Sequence, residues 1–265
     1  MNYLTLNNGL KIPQIGFGTY QIPMSITERC VSDAISVGYR RFDTSNDYFN
    51  EKQVGNAIRN SGIPRSEFFV TTKINGCFTV EDTIKKVDLA LSKIQLGYID
   101  LMLIHYPSGD NVQMYKGLEE CVLAGKIRSI GLSNFYEKDV QMILDNCRFN
   151  PVIDQNETHI YRQNRKIKEV LDSKGILLEA WSPLAQGLNG IFDDPKLKQI
   201  GDKYGKTNAQ VALRFLVQQG ILVIPKTTHI ERMQENINIF DFDLSPEDMA
   251  IIYKMDNAMS LFNWF

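Results

Sequence analysis

The sequence predicts an α/β fold, a (β/α)8 TIM barrel with an N-terminal β-hairpin plug. Eight short runs rich in β-forming residues alternate with segments of helical period along the chain, which is typical of parallel strands joined by helices. Most of these runs begin roughly 25 to 30 residues apart, enough for one strand, one helix and two short loops. The length of 265 residues is also close to the roughly 250 of one barrel. We therefore expect residues 1–265 to form a single domain.

The eight predicted strands are short and largely apolar. They are IGFGTY (15–20), YRRFDT (39–44), FFVTTK (68–73), YIDLMLIH (98–105), KIRSIGLS (126–133), PVIDQNE (151–157), GILLEAWS (175–182) and ILVIPK (221–226). Residues 101–104 lack alternation of apolar and polar side chains, which suits a strand covered on both faces. Ahead of the strands, Asn8-Gly9 between apolar flanks predicts the hairpin that plugs the bottom of the barrel.

The segments between the strands carry signals for helices. In residues 79–94, apolar side chains recur every three or four positions and so share one helical face. Residues 207–218 repeat this pattern behind Thr207 as N-cap, and Ser245 followed by Pro246 predicts the start of another helix. The interval after strand seven is longer than the others. We expect extra helices after strands seven and eight.

Composition and charge argue against several classes of partner. The 29 Lys and Arg residues against 31 Asp and Glu residues leave a net charge of −2, so no field draws the chain to nucleic acid or to an anionic membrane. No run approaches the roughly 20 apolar residues of a membrane span, and no signal peptide is visible. The four scattered cysteines predict reduced thiols. We expect a cytoplasmic protein that is a monomer or weak dimer.

Four titratable residues fall at consecutive strand ends, where barrels carry their catalytic groups. Strand two ends in Asp43 and its loop carries Tyr48, while strands three and four end in Lys73 and His105. A lysine held charged by Asp43 near the phenol would lower the pKa of Tyr48 from about 10, by roughly one to three units. Such a phenol can donate a proton near neutral pH, and His105 could hydrogen-bond the substrate oxygen.

Other enzyme classes fit these residues less well. A glycosidase barrel uses two carboxylates at its strand ends. Glu179 could be one of them, but strand four ends in His105, where the second carboxylate would be needed. The histidines His105, His159 and His229 form no pair at ligand spacing, so we predict no metal site. Gly16-Phe-Gly18 stands alone, without the full glycine fingerprint of a Rossmann dehydrogenase.

The sequence resembles the aldo-keto reductases. Matching motifs cover nearly the whole chain in the family's order: GYRRFDTSNDYFNE (38–51), TTKI (71–74), YIDLMLIHYP (98–107), GKIRSIGLSNF (125–135), PVIDQNETH (151–159), AWSPL (180–184) and IPKTTHIERMQEN (224–236). The resemblance implies reversible reduction of aldehydes and ketones to alcohols by hydride from NADPH. It implies Tyr48 as proton donor, Asp43 and Lys73 as the pair that lowers its pKa, and His105 as the histidine that orients the substrate.

The resemblance also implies the residues that bind NADPH. Ser133, Asn134 and Gln155 match the positions that hold the nicotinamide amide, and Trp181 stands where an aromatic ring, usually Tyr, stacks on the nicotinamide. The family's 2′-phosphate site matches Lys226, Thr227, Thr228 and Arg232. Cations and hydroxyl donors bind a phosphate well, so this match implies a preference for NADPH over NADH. The remaining implied cofactor contacts are Thr19, Asp43, Ser182, Leu184, Glu235 and Asn236.

Four positions of the substrate pocket differ from the residues common in the family. Tyr20, Asn75 and Tyr106 stand where Trp is frequent, and Asp47 precedes the catalytic tyrosine where apolar residues are frequent. These differences imply a polar pocket for small or hydroxylated carbonyls, with broad specificity.

The carboxyl terminus and the activity itself leave alternatives open. Phe262, Trp264 and Phe265 either cover the edge of the pocket or pack against the barrel exterior. The alternative function is a non-catalytic NADPH-binding subunit that senses redox state.

Overall fold

Eight parallel strands form the barrel in this computed structural model, which describes residues 2–262. A two-stranded antiparallel hairpin, β1 (Tyr3–Thr5) and β2 (Lys11–Pro13), precedes them. The barrel strands lie side by side in chain order. They are β3 (Phe17–Gly18), β4 (Arg41–Asp43), β5 (Phe69–Ile74), β6 (Leu101–Ile104), β7 (Ile130–Ser133), β8 (Ile153–Glu157), β9 (Leu177–Trp181) and β10 (Leu222–Val223).

Backbone hydrogen bonds between the first and last strands close the barrel. The Gly16 N–H donates to Val223 O at 2.8 Å and the Gly18 N–H to Pro225 O at 3.1 Å. The Val223 N–H donates to Gln14 O at 3.0 Å, so the strand at each edge of the sheet finds a partner, as closure of a barrel requires. The predicted (β/α)8 fold is confirmed.

Helices follow each barrel strand, and the predicted extra helices are present. The first six are α1 (Met24–Val37), α2 (Glu51–Asn60), α3 (Val80–Ile94), α4 (Asn111–Leu123), α5 (Glu137–Leu144) and α6 (Arg165–Ser173). Two helices follow β9, α7 (Pro195–Tyr204) and α8 (Asn208–Val217), and two follow β10, α9 (Ile230–Ile237) and α10 (Pro246–Tyr253). Thr207 forms a full capping box with Gln210, which fixes the start of α8.

The hairpin plugs the amino-terminal end of the barrel, as predicted. Leu6 and Ile12 are buried in a cluster with the side chains at or near the start of four barrel strands. Those side chains are Phe69, Leu101, Leu103, Ile153 and Leu222. A separate and larger apolar core lies between the sheet and the helices. The amino-terminal end is thus filled, and the carboxyl end is the one left to hold a site.

A buried ion pair joins two of the barrel strands, β4 and β9. The Arg41 guanidinium donates to the Glu179 carboxylate and, at 2.7 Å, to Pro13 O. Both side chains are essentially inaccessible to solvent. A Cβ at position 16 would lie 2.6 Å from Arg41 Nε, so Gly16 is what leaves room for the arginine. Glu179, a strand-end carboxylate, is therefore part of the barrel interior.

The cysteines and the helix lengths agree with what the composition predicts for the described residues. The four cysteines are free thiols, three of them buried, as the sequence predicts. Within residues 2–262, no helix combines the length and the apolar character that crossing a membrane would require.

Candidate active site

The carboxyl ends of β4, β5 and β6 bring four titratable side chains together. Along a strand, alternate side chains face the barrel interior. Asp43 ends β4, Lys73 is the fifth residue of β5, and His105 directly follows β6. Tyr48 comes from the 3-10 turn Asn46–Tyr48 behind β4, which Ser45 caps by accepting a hydrogen bond from the Asp47 N–H. The four residues selected at strand ends thus meet at one place.

Lys73 is the centre of this cluster. Its Nζ lies 2.5 Å from Asp43 Oδ1, 3.1 Å from Thr44 O and 3.3 Å from the Tyr48 hydroxyl. Both Lys73 and Asp43 are buried, and Gln155 Nε2 donates to the second Asp43 oxygen at 3.0 Å. Burial is the largest influence on the pKa of Lys73 and lowers it, but charge interactions and hydrogen bonds with Asp43 and Tyr48 together outweigh burial, so the pKa is raised. The ammonium therefore stays charged beside the phenol.

The expected lowering of the Tyr48 pKa is wrong as a net effect. Burial raises the pKa of Tyr48 to about 12, although Lys73 lowers it, and Asp43 acts in the same direction as burial. The charge of Lys73 thus offsets only part of the cost of placing a phenolate away from water. Tyr48 is therefore a neutral phenol at physiological pH.

His105 is an uncharged imidazole that contacts a carboxylate. Burial lowers the pKa of His105, and Lys73 lowers it further, while Asp47 opposes both. Its Nδ1 lies 3.1 Å from Asp47 Oδ2 and 3.2 Å from Ser45 Oγ. The ring meets the Tyr48 ring edge to face, with 5.7 Å between centroids. His105 and Tyr48 are therefore neighbours on the same wall.

A cavity of about 850 Å³ opens beside this cluster. Tyr48, His105 and Asp43 line one part of it, and Lys226 and Arg232 line another. Of the predicted substrate-pocket residues, Tyr20, Asp47 and Tyr106 line the cavity, and Asn75 holds Asp47 by a 2.6 Å hydrogen bond. The segment after β9 also borders the cavity, through Ser182, Pro183, Leu184, Gln186, Gly187 and Phe192.

Polar side chains at the ends of two further strands also line the cavity. They are Ser133 and Asn134 from the end of β7 and Gln155 from β8, and Trp181 from the end of β9 lines it as well. Asn134 Nδ2 donates to His105 O at 2.9 Å, and Asn134 Oδ1 accepts from Trp181 Nε1 at 2.9 Å. Asn134 thereby connects the indole to the strand that carries His105.

The remaining predicted cofactor residues, Thr19, Thr227, Thr228, Glu235 and Asn236, are not among the residues that line this cavity. Thr19 is buried and donates to Asp43 O at 2.9 Å. Thr227 and Thr228 lie between Lys226 and the start of α9, and Thr227 Oγ1 accepts from the His229 N–H. Asn236 on α9 is buried. Glu235 accepts a hydrogen bond from the Thr207 hydroxyl of the α8 cap, a role that no sequence pattern predicts.

Glu157 has a role that sequence reasoning missed. Its carboxylate, buried at the end of β8, accepts from the Ser260 hydroxyl at 2.6 Å and the Leu261 N–H at 2.9 Å. This clamp brings Phe262 against Trp181, with 5.3 Å between ring centroids. Phe262 thus packs against Trp181, which lines the cavity, although Phe262 is not itself a lining residue. Trp264 and Phe265 lie outside the described residues.

Comparison with known proteins identifies the family. The family model described as "Aldo/keto reductase family" matches residues 14–257. The chain belongs to the aldo/keto reductase family. An aldo-keto reductase of Mycolicibacterium smegmatis is 38% identical over 97% of this chain and 94% of its own length. Methylglyoxal reductase DkgA of Escherichia coli O157:H7 is 37% identical over 97% of this chain and 94% of its own length.

A solved structure agrees with both the fold and the family. The Bombyx mori aldo-keto reductase in complex with NADP superposes with a TM-score of 0.93 at 32% identity, covering 99% of this chain and 95% of the other. NADP(H) is the cofactor of the aldo/keto reductase family. The cavity has room for such a ligand, with amide and hydroxyl groups on one wall and two exposed cationic side chains, Lys226 and Arg232, on another. The residues present fit this cofactor.

Proposed function

We propose that this protein is an NADPH-dependent reductase of aldehydes and ketones whose reaction is reversible. The observation that carries the proposal is the cluster of Asp43, Lys73, Tyr48 and His105 on the wall of a cavity that also presents Lys226 and Arg232. A proton donor and a cationic neighbour at one part of the cavity suit alkoxide formation. Paired cations at another part suit a phosphate.

Tyr48 is the proposed proton donor. NADPH, when bound, supplies the hydride that goes to the carbonyl carbon. The Tyr48 hydroxyl gives its proton to the carbonyl oxygen, and the Lys73 ammonium, 3.3 Å from that hydroxyl, stabilises the phenolate left behind. A pKa of about 12 keeps the phenol protonated across the physiological range. Asp43 keeps Lys73 charged and in place.

The proposed substrates are small or polar carbonyl compounds, accepted with broad specificity. Asp47 and His105 present polar groups to the cavity, and Tyr20 and Tyr106 contribute rings that carry hydroxyls. The relative from Escherichia coli O157:H7 is named for methylglyoxal, a small dicarbonyl. This likeness supports the same substrate class here.

The test is NADPH oxidation, followed by absorbance, with methylglyoxal, glyceraldehyde and benzaldehyde. Tyr48→Phe should lower kcat by about 10²- to 10⁴-fold, the usual contribution of a general acid, while NADPH still binds. Tyr3→Phe is the matched control, because Tyr3 lies in the hairpin at the opposite end of the barrel. If the wild-type protein binds NADPH yet reduces no carbonyl compound, the non-catalytic redox-sensing subunit becomes the better description.

The preference for NADPH is tested by removing two cations. Lys226→Ala combined with Arg232→Ala should weaken NADPH binding by at least about 100-fold, since charge-assisted hydrogen bonds to a phosphate contribute roughly 1.5–3 kcal/mol each. NADH, which lacks the 2′-phosphate, is the internal control and should bind the double variant almost as it binds the wild type. Equal loss for both nucleotides in a fluorescence titration would contradict this assignment.

A further inference from the structure

Asp47 contacts both the imidazole ring of His105 and the side chain of Asn75. Its Oδ2 lies 3.1 Å from His105 Nδ1 and 2.6 Å from Asn75 Nδ2. The carboxylate belongs to the turn that also carries Tyr48, whereas Asn75 directly follows β5. Asp47 thus connects the loops behind β4 and β5 to the ring of His105.

The chemistry of this contact determines where the imidazole proton sits. The hydrogen bond from His105 lowers the pKa of Asp47, so the carboxyl group is ionised at neutral pH and can only accept hydrogen bonds. A neutral imidazole carries one proton, and the contact with Asp47 requires that proton on Nδ1. The other ring nitrogen, Nε2, is then left with a lone pair.

Ser45 does not decide between the two tautomers. Its Oγ lies 3.2 Å from His105 Nδ1 and accepts a hydrogen bond from the Asp47 N–H. A hydroxyl can donate to an unprotonated Nδ1 or accept from a protonated one, so either tautomer can form a hydrogen bond with Ser45. Only the tautomer with the proton on Nδ1 can form one with the ionised Asp47.

We propose that Asp47 is a positioning residue that places the proton of neutral His105 on Nδ1 and thereby couples carbonyl reduction to pH. The proposal rests on the proposed reductase function. With the proton on Nδ1, neutral His105 can accept an alcohol O–H at Nε2 but cannot donate to a carbonyl oxygen. Donation from Nε2 then needs the imidazolium, which carries protons on both nitrogens.

The reaction itself balances in this scheme. Hydride from the nicotinamide goes to the carbonyl carbon, the Tyr48 proton goes to the oxygen, and the proton on Nε2 of the imidazolium stays on the ring while it polarises the C=O bond. The charged groups that face His105 act in both directions. Asp47 and Asp43 favour the imidazolium, and Lys73 opposes it, while Tyr48 stays neutral in the same range.

The first experiment is a pH profile of kcat/KM for reduction of a slowly reacting, non-ionising ketone between pH 5 and 8.5. In the wild type, kcat/KM should fall about tenfold per pH unit above the pKa of His105. Asp47→Asn has the same shape, and its amide can donate to Nδ1 when the Asn75 amide, which donates to the carboxylate in the wild type, turns to present its oxygen. This donation places the proton on Nε2. The profile of this variant should be flat, with kcat/KM above that of the wild type at pH 8. Asp202→Asn, an exposed aspartate of α7, should keep the wild-type profile.

A second readout needs no activity. The protein has three histidines, and ¹⁵N-histidine labelling makes their ring nitrogens visible by NMR. The signals that are absent from the His105→Gln variant belong to His105, and they report which of its ring nitrogens carries the proton. We expect the Nδ1–H tautomer in the wild type and the Nε2–H tautomer in Asp47→Asn. An Nε2–H tautomer in the wild type would overturn the proposal, as would parallel pH profiles. A wild type that reduces no carbonyl at any pH would instead count against the proposed function, and the ¹⁵N signals would still decide the role of Asp47.

Discussion

At the scale of single residues, Asn134 links the histidine strand to the indole that borders the cavity. Its side chain donates to His105 O and accepts from Trp181 Nε1, each at 2.9 Å. Its backbone has φ of 61°, in the left-handed region that Asn tolerates better than most residues. One residue therefore combines an unusual backbone with two bonds between neighbouring parts of the site.

Two substitutions at position 134 separate the contribution of the backbone conformation to stability from that of the side-chain hydrogen bonds. Asn134→Gly loses both side-chain bonds but suits a positive φ, whereas Asn134→Ala loses the bonds and also strains the backbone. We expect Ala to lower the free energy of unfolding by about 1–2 kcal/mol more than Gly does, measured by urea denaturation. Both variants should shift the tryptophan emission, because both release Trp181 Nε1 from Asn134. Equal stability of the two variants would mean that the backbone at this position stores no strain.

At the scale of elements, helix starts could be predicted closely and strand lengths could not. Thr207 and Ser245 were predicted as caps, and α8 and α10 begin directly after them, because capping depends on residues close in sequence. Strand ends depend on partners far away in sequence. Residues 221–226 yield only the two-residue β10, and Pro225 within that run has no N–H to donate.

The same division between local and distant information applies to the site. The residues at strand ends could be predicted, because an alternating strand in a barrel presents its last side chains to one opening. The clamp of Glu157 on Ser260 joins residues 103 positions apart, and no local pattern indicates it. The sign of the Tyr48 pKa shift was mispredicted for a related reason. Sequence supplies the charge of Lys73 but not the depth of burial, which proves to be the larger cause.

At the scale of the whole molecule, a buried carboxyl group makes the free energy of unfolding depend on pH. Asp154 on β8 is fully buried, and Asn156 Nδ2 donates to it at 2.9 Å. Burial raises the pKa of Asp154 to about 8, although hydrogen bonds from Asn156 and from the Phe135 backbone lower it. The folded protein therefore keeps this carboxyl group protonated at neutral pH, while the unfolded chain ionises it near pH 4.

Between about pH 4 and 8 the unfolded state binds fewer protons at Asp154 than the folded state does. The free energy of unfolding contributed by this residue is fully present below pH 4 and is lost as the pH rises through 8, by at most about 1.4 kcal/mol per pH unit. Asp154→Asn substitutes a neutral amide of the same shape and should abolish this slope. Urea denaturation at pH 5, 6.5 and 8 should therefore show the variant gaining on the wild type as the pH rises. Asp172→Asn, at a half-exposed carboxylate of α6, is the control and should show the same pH dependence of the free energy of unfolding as the wild type. If Asp154→Asn also shows the wild-type pH dependence, Asp154 is already ionised in the folded protein.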